Sequence, residues 1–243
     1  MLKVKSAKIN EITLESDYVK NHVFLTFDFD WAHDQVIEDT LDILVRYGAK
    51  ATFLVTHQTP WIQHIRFNSN FELGIHPNLE PLAINENNYK SYVSSQFENL
   101  LEIIPEAVTF RSHATTNSSR ILEIAKKFGI KYDLNYYIPF NSYCHIMPWK
   151  LWNGLFRVPF LWTDDVAAMN RDASFDGNLS EILAWSGIKV FNFHPIHVYL
   201  NTESLARYEE SRPFHFNPEA LMDYRYSGFG TRDKLIALLE RIS

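Results

Sequence analysis

Cysteine is nearly missing: Cys144 is the only one among 243 residues. That excludes an internal disulfide framework and a thiolate-based zinc finger, and it is compatible with a reducing cytosol. The lone thiol reads as buried and inert. Basic runs are missing too. With 23 Lys and Arg against 29 Asp and Glu, the formal charge is -6, so an electrostatic grip on nucleic acid or anionic membrane is not expected and small neutral substrates fit better. No stretch approaches the roughly 18 apolar residues of a membrane span, and the N-terminal MLKVKSAKINEITLESD develops no apolar signal core. The expectation is a soluble cytoplasmic protein. Repeats, low-complexity tracts and linkers are absent as well, so residues 1–243 read as one domain with 46% hydrophobic residues to build its core.

What is present is a rhythm of short β-rich segments: HVFLTF (22–27), ATFLVT (51–56), FELGI (71–75), AVTFR (107–111), IKYDL (130–134), LFRVPF (155–160) and IKVFNF (188–193). Several are apolar in succession, as expected of strands buried on both faces. Helical patterns separate them. VIEDTLDILVRYG aligns Val36, Thr40, Ile43 and Leu44 on one stripe, with Asp34 as N-cap and Gly48 as the stop. YVSSQFENLLEII (92–104) and SRILEIAKKFG (119–129) follow the same pattern, the latter with Ser118 as N-cap. TRDKLIALLERI reads as a terminal helix, and His194 to Gly230 as a long elaborated loop. Seven strands alternating with helices predict an α/β fold, a distorted (β/α)7 barrel, with an open doubly wound sheet as the alternative.

In such a barrel, reactive residues sit at the C-terminal ends of strands. LTFDFDWAHD places Asp28, Asp30, His33 and Asp34 after the first strand, at a density that must be solvated, paired or bound to a cation. His76 follows the third strand, Arg111 and His113 the fourth, Asp164 and Asp165 the sixth, His194 and His197 the seventh. Singly, each has a bland explanation as a cap, turn or hydrogen-bonded structural residue. Their shared position on one rim argues for a site.

TFDFD, ATFLVTH, ELGIH, FRSH and FNFHP, in this order over about residues 23 to 200, resemble the successive motifs of NodB-type polysaccharide deacetylases, carbohydrate esterase family 4. The nearest resemblance is to cytoplasmic members of bacterial O-antigen (lipopolysaccharide) synthesis. The resemblance implies Asp28 as catalytic base, Asp30 as metal-binding carboxylate, His76 as metal-binding histidine, Arg111 as the arginine positioning the base, and His194 as proton donor to the leaving group. Asp164 or Asp165 would orient His194. Two departures stand out. Phe29 separates the two aspartates, and Glu80 stands four residues after His76, where the family has its second metal histidine. His113 is the favoured replacement, although the family motif has proline in that region; Glu80 and His197 are the other candidates.

A two-histidine, one-carboxylate set suits a divalent metal with positions left for water and substrate. Zinc is the first expectation, with cobalt, manganese and nickel open. The implied activity is metal-dependent removal of an N-acyl group, chiefly acetyl, from an amino sugar or glycan precursor, and aromatics such as Trp162 are candidates for sugar stacking. The alternative is a catalytically inactive carbohydrate-binding or scaffold relative. An iron oxygenase would share the ligand set, but the strand–helix rhythm opposes it.

Overall fold

The structure is a computed structural model that describes residues 4–80, 86–170 and 174–242. Among the described residues ten strands form one sheet: β1 (Lys5–Ala7), β2 (His22–Asp28), β3 (Ala51–Val55), β4 (Phe71–Ile75), β5 (Thr109–Phe110), β6 (Tyr132–Asp133), β7 (Trp149–Lys150), β8 (Phe156–Arg157), β9 (Trp162–Thr163) and β10 (Val190–Phe193). They lie in the order β7-β8-β6-β5-β4-β3-β2-β10-β9, with β1 against β2, and all pairings are parallel except β7 with β8. The sheet curls until it meets itself. Residues 156–163 pair on one side with β6 and its continuation at Tyr137, and on the other with β10, where the Leu161 amide donates to the Val190 carbonyl. Seven strand positions thus form a distorted barrel.

All seven expected strands are present. β1, β7 and β9 were not expected, being only two or three residues long and too short for a periodic signal. The helix after β2 spans Asp34–Tyr47, buries Val36, Thr40, Ile43 and Leu44, and stops at Gly48 with φ 61°, a left-handed conformation that glycine adopts without a Cβ clash. Its N-cap is His33, whose Nδ1 accepts from the Gln35 amide, not Asp34, which accepts from the Thr59 hydroxyl. Ser118 caps its helix as expected, accepting from the Ile121 amide. The segment after His194 is more ordered than a loop: helices occupy Pro195–Leu200, Leu205–Ser211 and Pro218–Met222. They are shorter than the windows in which helical periodicity can be counted. Cys144 is exposed, not buried, because residues 141–145 all face solvent outside the barrel wall.

Side-chain alternation sorts the strand residues into two populations. Phe27, Phe53, Leu73, Ile75, Phe110, Phe191 and Phe193 join the larger core with the helices, including Ile37, Leu44, Phe97 and Leu235. Phe24, Leu54 and Val190 point inward with Leu134, Val158 and Phe160. Below them Ala7, Ile9 and Ile12 close the barrel floor, and this plug is stitched in place. The Ile9 amide donates to the Thr52 hydroxyl, the Asn10 amide to Glu72, and both Thr52 and Thr109 donate to the same buried carboxylate. Space is tight at this level: a Cβ on Gly74 would meet Leu54 and the Thr109 carbonyl at 2.7 Å each.

Lys189, just before β10, is fully buried, and its ammonium donates to the carbonyls of Val19, Lys20, Trp185 and Gly187 at 2.9–3.2 Å. Burial, with the charge of Lys20, pulls it down to about 8, so it remains cationic at neutral pH. Lys189→Met should therefore strand four acceptors and lower stability by about 2 kcal/mol, measurable by urea denaturation.

Candidate active site

Above the inner apolar layer the inward positions turn polar: Thr26 and Asp28 on β2, Arg111 one residue past β5, Asn192 on β10 and His194 one residue past it. His76 follows β4, its amide donating to the Val55 carbonyl and so continuing the sheet. Asp28 and Arg111 are both buried and meet at 2.9 Å between Oδ1 and Nη1. The Arg111 Nε donates to the Leu134 carbonyl and its Nη groups to Thr26, which anchors the guanidinium from three sides. Asp28 Oδ2 accepts from the Asn192 amide at 2.9 Å.

Asp30 lies beyond the strand end with φ 44°, and Trp31 follows with φ 57°. Two successive left-handed non-glycine residues are costly, and such strain gathers at functional sites. This kink lets Asp30 face the same pocket as Asp28. Its Oδ1 is 3.0 Å from His76 Nε2, and its Oδ2 is 3.6 Å from His194 Nε2 and 3.9 Å from His113 Nε2. Burial acts to raise the Asp30 carboxyl, but the close His76 imidazole and the charges of His194, His76 and His113 outweigh it and hold the group well below the usual carboxylate range.

His194 is held by Asp164. The carboxylate meets the ring Nδ1 at 2.6 Å and accepts from the His194 backbone amide at 2.7 Å. Burial disfavours the imidazolium, but the charge and hydrogen bond of Asp164, with Asp30 and Asp165 nearby, raise His194 well above its ordinary value. Asp165 instead accepts from the Thr163 hydroxyl and the Val166 amide, so of the two adjacent aspartates only Asp164 bonds His194. His197 packs edge-on against His194 and shares a bond with the Thr202 hydroxyl; burial lowers its pKa.

The structure thus brings Asp28, Asp30, His76, His113, Arg111 and His194 together. Glu80 is exposed on the following loop, its own amide bonded to Asn78. Trp162 is buried against Phe175, Phe191 and Phe193, a packing residue out of reach of a sugar. Asn192 was missed by the sequence reading, although it precedes His194 by two residues and period-two alternation puts both on one face.

Two groups have the chemistry of a metal centre. Among the described residues, Asp164, His194 and His197 form a buried trio with donor atoms within 4.8 Å of one another. Both Asp164 oxygens and the His194 Nδ1 are already engaged with each other or with the His194 amide, and the His197 Nδ1 with Thr202, while His194 Nε2 faces Asp28 and Asp30. Around Asp30 the balance is different. Asp30 Oδ1 is buried and takes no aligned hydrogen bond despite the 3.0 Å approach of His76 Nε2. A carboxylate oxygen and imidazole nitrogens converging without such a bond fit a shared divalent cation.

The inward-facing strand-end cluster and the curled parallel sheet define a β/α barrel with a polar site suited to a metal at one rim. Residues 25–212 match the model of the WbmS-like polysaccharide deacetylase family, and the chain belongs to that family. It is similar over 98% of both chains, at 39% identity and a TM-score of 0.89, to a crystallised protein of Bordetella bronchiseptica assigned as a polysaccharide deacetylase involved in O-antigen biosynthesis. A protein of Mycobacterium smegmatis assigned as a polysaccharide deacetylase aligns over 91% of this chain and 92% of its own at 16% identity (TM-score 0.47). A family 4 carbohydrate esterase of Streptomyces lividans aligns over 71% and 78% at 15% identity (TM-score 0.46). No curated protein matches by sequence. Among the described residues no helix is long and apolar enough to cross a membrane.

Proposed function

We propose that the protein is a metal-dependent N-deacetylase acting on an amino sugar of an O-antigen or related glycan precursor. The observation that carries this reading is the gathering of Asp30 with His76, His113 and His194, at 3.0–3.9 Å, beside the buried Asp28–Arg111 pair. The description of the Bordetella relative as a deacetylase involved in O-antigen biosynthesis supports a glycan of that kind as substrate.

Asp30, His76 and His113 would hold the cation. When bound, it supplies Lewis acidity, acidifying water and polarising an acyl carbonyl. Asp28 accepts the proton of the attacking water; each of its oxygens keeps a lone pair beyond the bonds to Arg111 and Asn192. Arg111 orients that carboxylate through the contact at 2.9 Å. His194, kept protonated by Asp164, donates a proton to the departing amine and stabilises negative charge at the reacting centre.

The direct test is incubation of zinc- or cobalt-loaded protein with N-acetylated amino sugars and their oligosaccharides, reading acetate and free amine by mass spectrometry. Release that chelator abolishes supports the reading. Absence of release together with absence of stoichiometric metal would favour the non-catalytic carbohydrate-binding alternative. Ligand assignments are tested separately by elemental analysis: His76→Ala should retain less than about a tenth of an equivalent of metal at neutral pH, His113→Ala should lower occupancy, and Glu80→Ala should leave it intact. Full occupancy in His76→Ala would remove that residue from the set.

A further inference from the structure

We propose that Asn192 is a positioning residue that fixes the plane of the Asp28 carboxylate; its kinetic consequence rests on the function proposed above, its geometric one does not. Asn192 is buried on β10, and its side chain lies between two groups of opposite charge. Its Nδ2 donates to Asp28 Oδ2 at 2.9 Å and reaches the Thr163 hydroxyl at 3.4 Å. Its Oδ1 accepts from Arg111 Nη1 and from the Thr26 hydroxyl, the latter at 2.9 Å. Because Arg111 Nη1 also donates to Asp28 Oδ1 at 2.9 Å, the three side chains form a closed triangle in which each is bonded to the other two.

The direction of the amide is dictated by chemistry. A guanidinium only donates and a carboxylate only accepts, so the reversed amide would oppose donors to donors and acceptors to acceptors. The triangle also corrects a weakness in the Asp28–Arg111 contact. Arg111 does not present its two-pronged fork to Asp28: one Nη meets one oxygen, while Nε and the other Nη are engaged by Leu134 and Thr26. A carboxylate held at one oxygen can turn about its Cβ–Cγ bond, a torsion with broad wells. The bond from Asn192 holds the second oxygen. Asp28 Oδ1 then stands 3.7 Å from His76 Nδ1, and Oδ2 stands 3.8 Å from His194 Nε2. Asn192 thereby decides which oxygen faces each imidazole and which lone pairs remain for a water proton.

Two variants separate this role from simple packing. Asn192→Leu keeps a similar volume and removes every polar contact. Asn192→Ala removes the same contacts with a smaller side chain and sets no new charge against Asp28. In both, kcat should fall about 10–100-fold, with KM within about twofold and the metal content of the wild type, and crystal structures should show the Asp28 carboxylate turned by more than about 30°. An unturned carboxylate would overturn the inference whether or not the protein has activity. So would unchanged kcat, or a rise in KM alone, in a folded, metal-loaded variant of an active wild type. If Asn192→Leu fails to fold, Asn192→Ala carries the same readouts. Wild-type protein inert towards every N-acyl sugar would instead overturn the proposed function, and the carboxylate angle would still judge Asn192.

Discussion

Asp28→Asn is expected to lower kcat by about 10²–10⁴-fold, the range contributed by a general base, while the protein stays folded and retains its metal. The asparagine preserves the shape of the side chain and one oxygen able to accept from Arg111 or Asn192. It cannot take a proton from water at neutral pH. Because Asp30, His76 and His113 are untouched, elemental analysis should give the same metal content as wild type. Turnover at the wild-type rate would remove Asp28 from the role of base; loss of metal would mean that Asp28 itself belongs to the ligand set.

Arg111→Met should be the most damaging single substitution for stability. It leaves Asp28 as a buried charge that keeps the hydrogen bond of Asn192 but loses that of its cationic partner, and breaking a buried ion pair on one side costs about 3–5 kcal/mol. The Leu134 carbonyl loses its side-chain donor and the Thr26 hydroxyl one of its partners, and the guanidinium that packs on the Phe160 ring at 4.5 Å is gone. Urea denaturation of the metal-free protein would read the effect without interference from metal binding. A loss below about 1 kcal/mol would place the pair among those that contribute little. Arg111→Lys should not rescue, since an ammonium cannot reach Leu134, Thr26, Asn192 and Asp28 from one fixed plane.

The barrel was legible because its seven main strands are short apolar runs ending in turn residues, and because the polar residues fall directly after them. Asp28, His76, Arg111 and His194 could be assigned to one rim from strand ends alone. What stayed hidden has physical causes. Asn192 lies inside a strand, in a motif whose resemblance assigns a role to His194 alone, and its meaning appears only when Asp28 and Arg111 arrive from β2 and beyond β5. The choice between Asp164 and Asp165 depended on the first turn of a helix, where adjacent residues point in directions about 100° apart. The His33 cap depended on a ring orientation that sequence does not encode locally. Cys144 was misjudged because composition favours burial of a lone thiol, whereas its loop runs outside the wall.

The floor of the barrel bears on how the domain can be cut. The matched span begins at residue 25 and ends at 212, yet the cavity beneath Phe24 and Leu54 is filled by Ala7, Ile9 and Ile12, and Leu235 and Leu238 cover the outer core. A fragment trimmed to the motif-bearing span would open apolar surface at both places and invite association. Expression boundaries and terminal fusion points therefore belong outside residues 5 to 242.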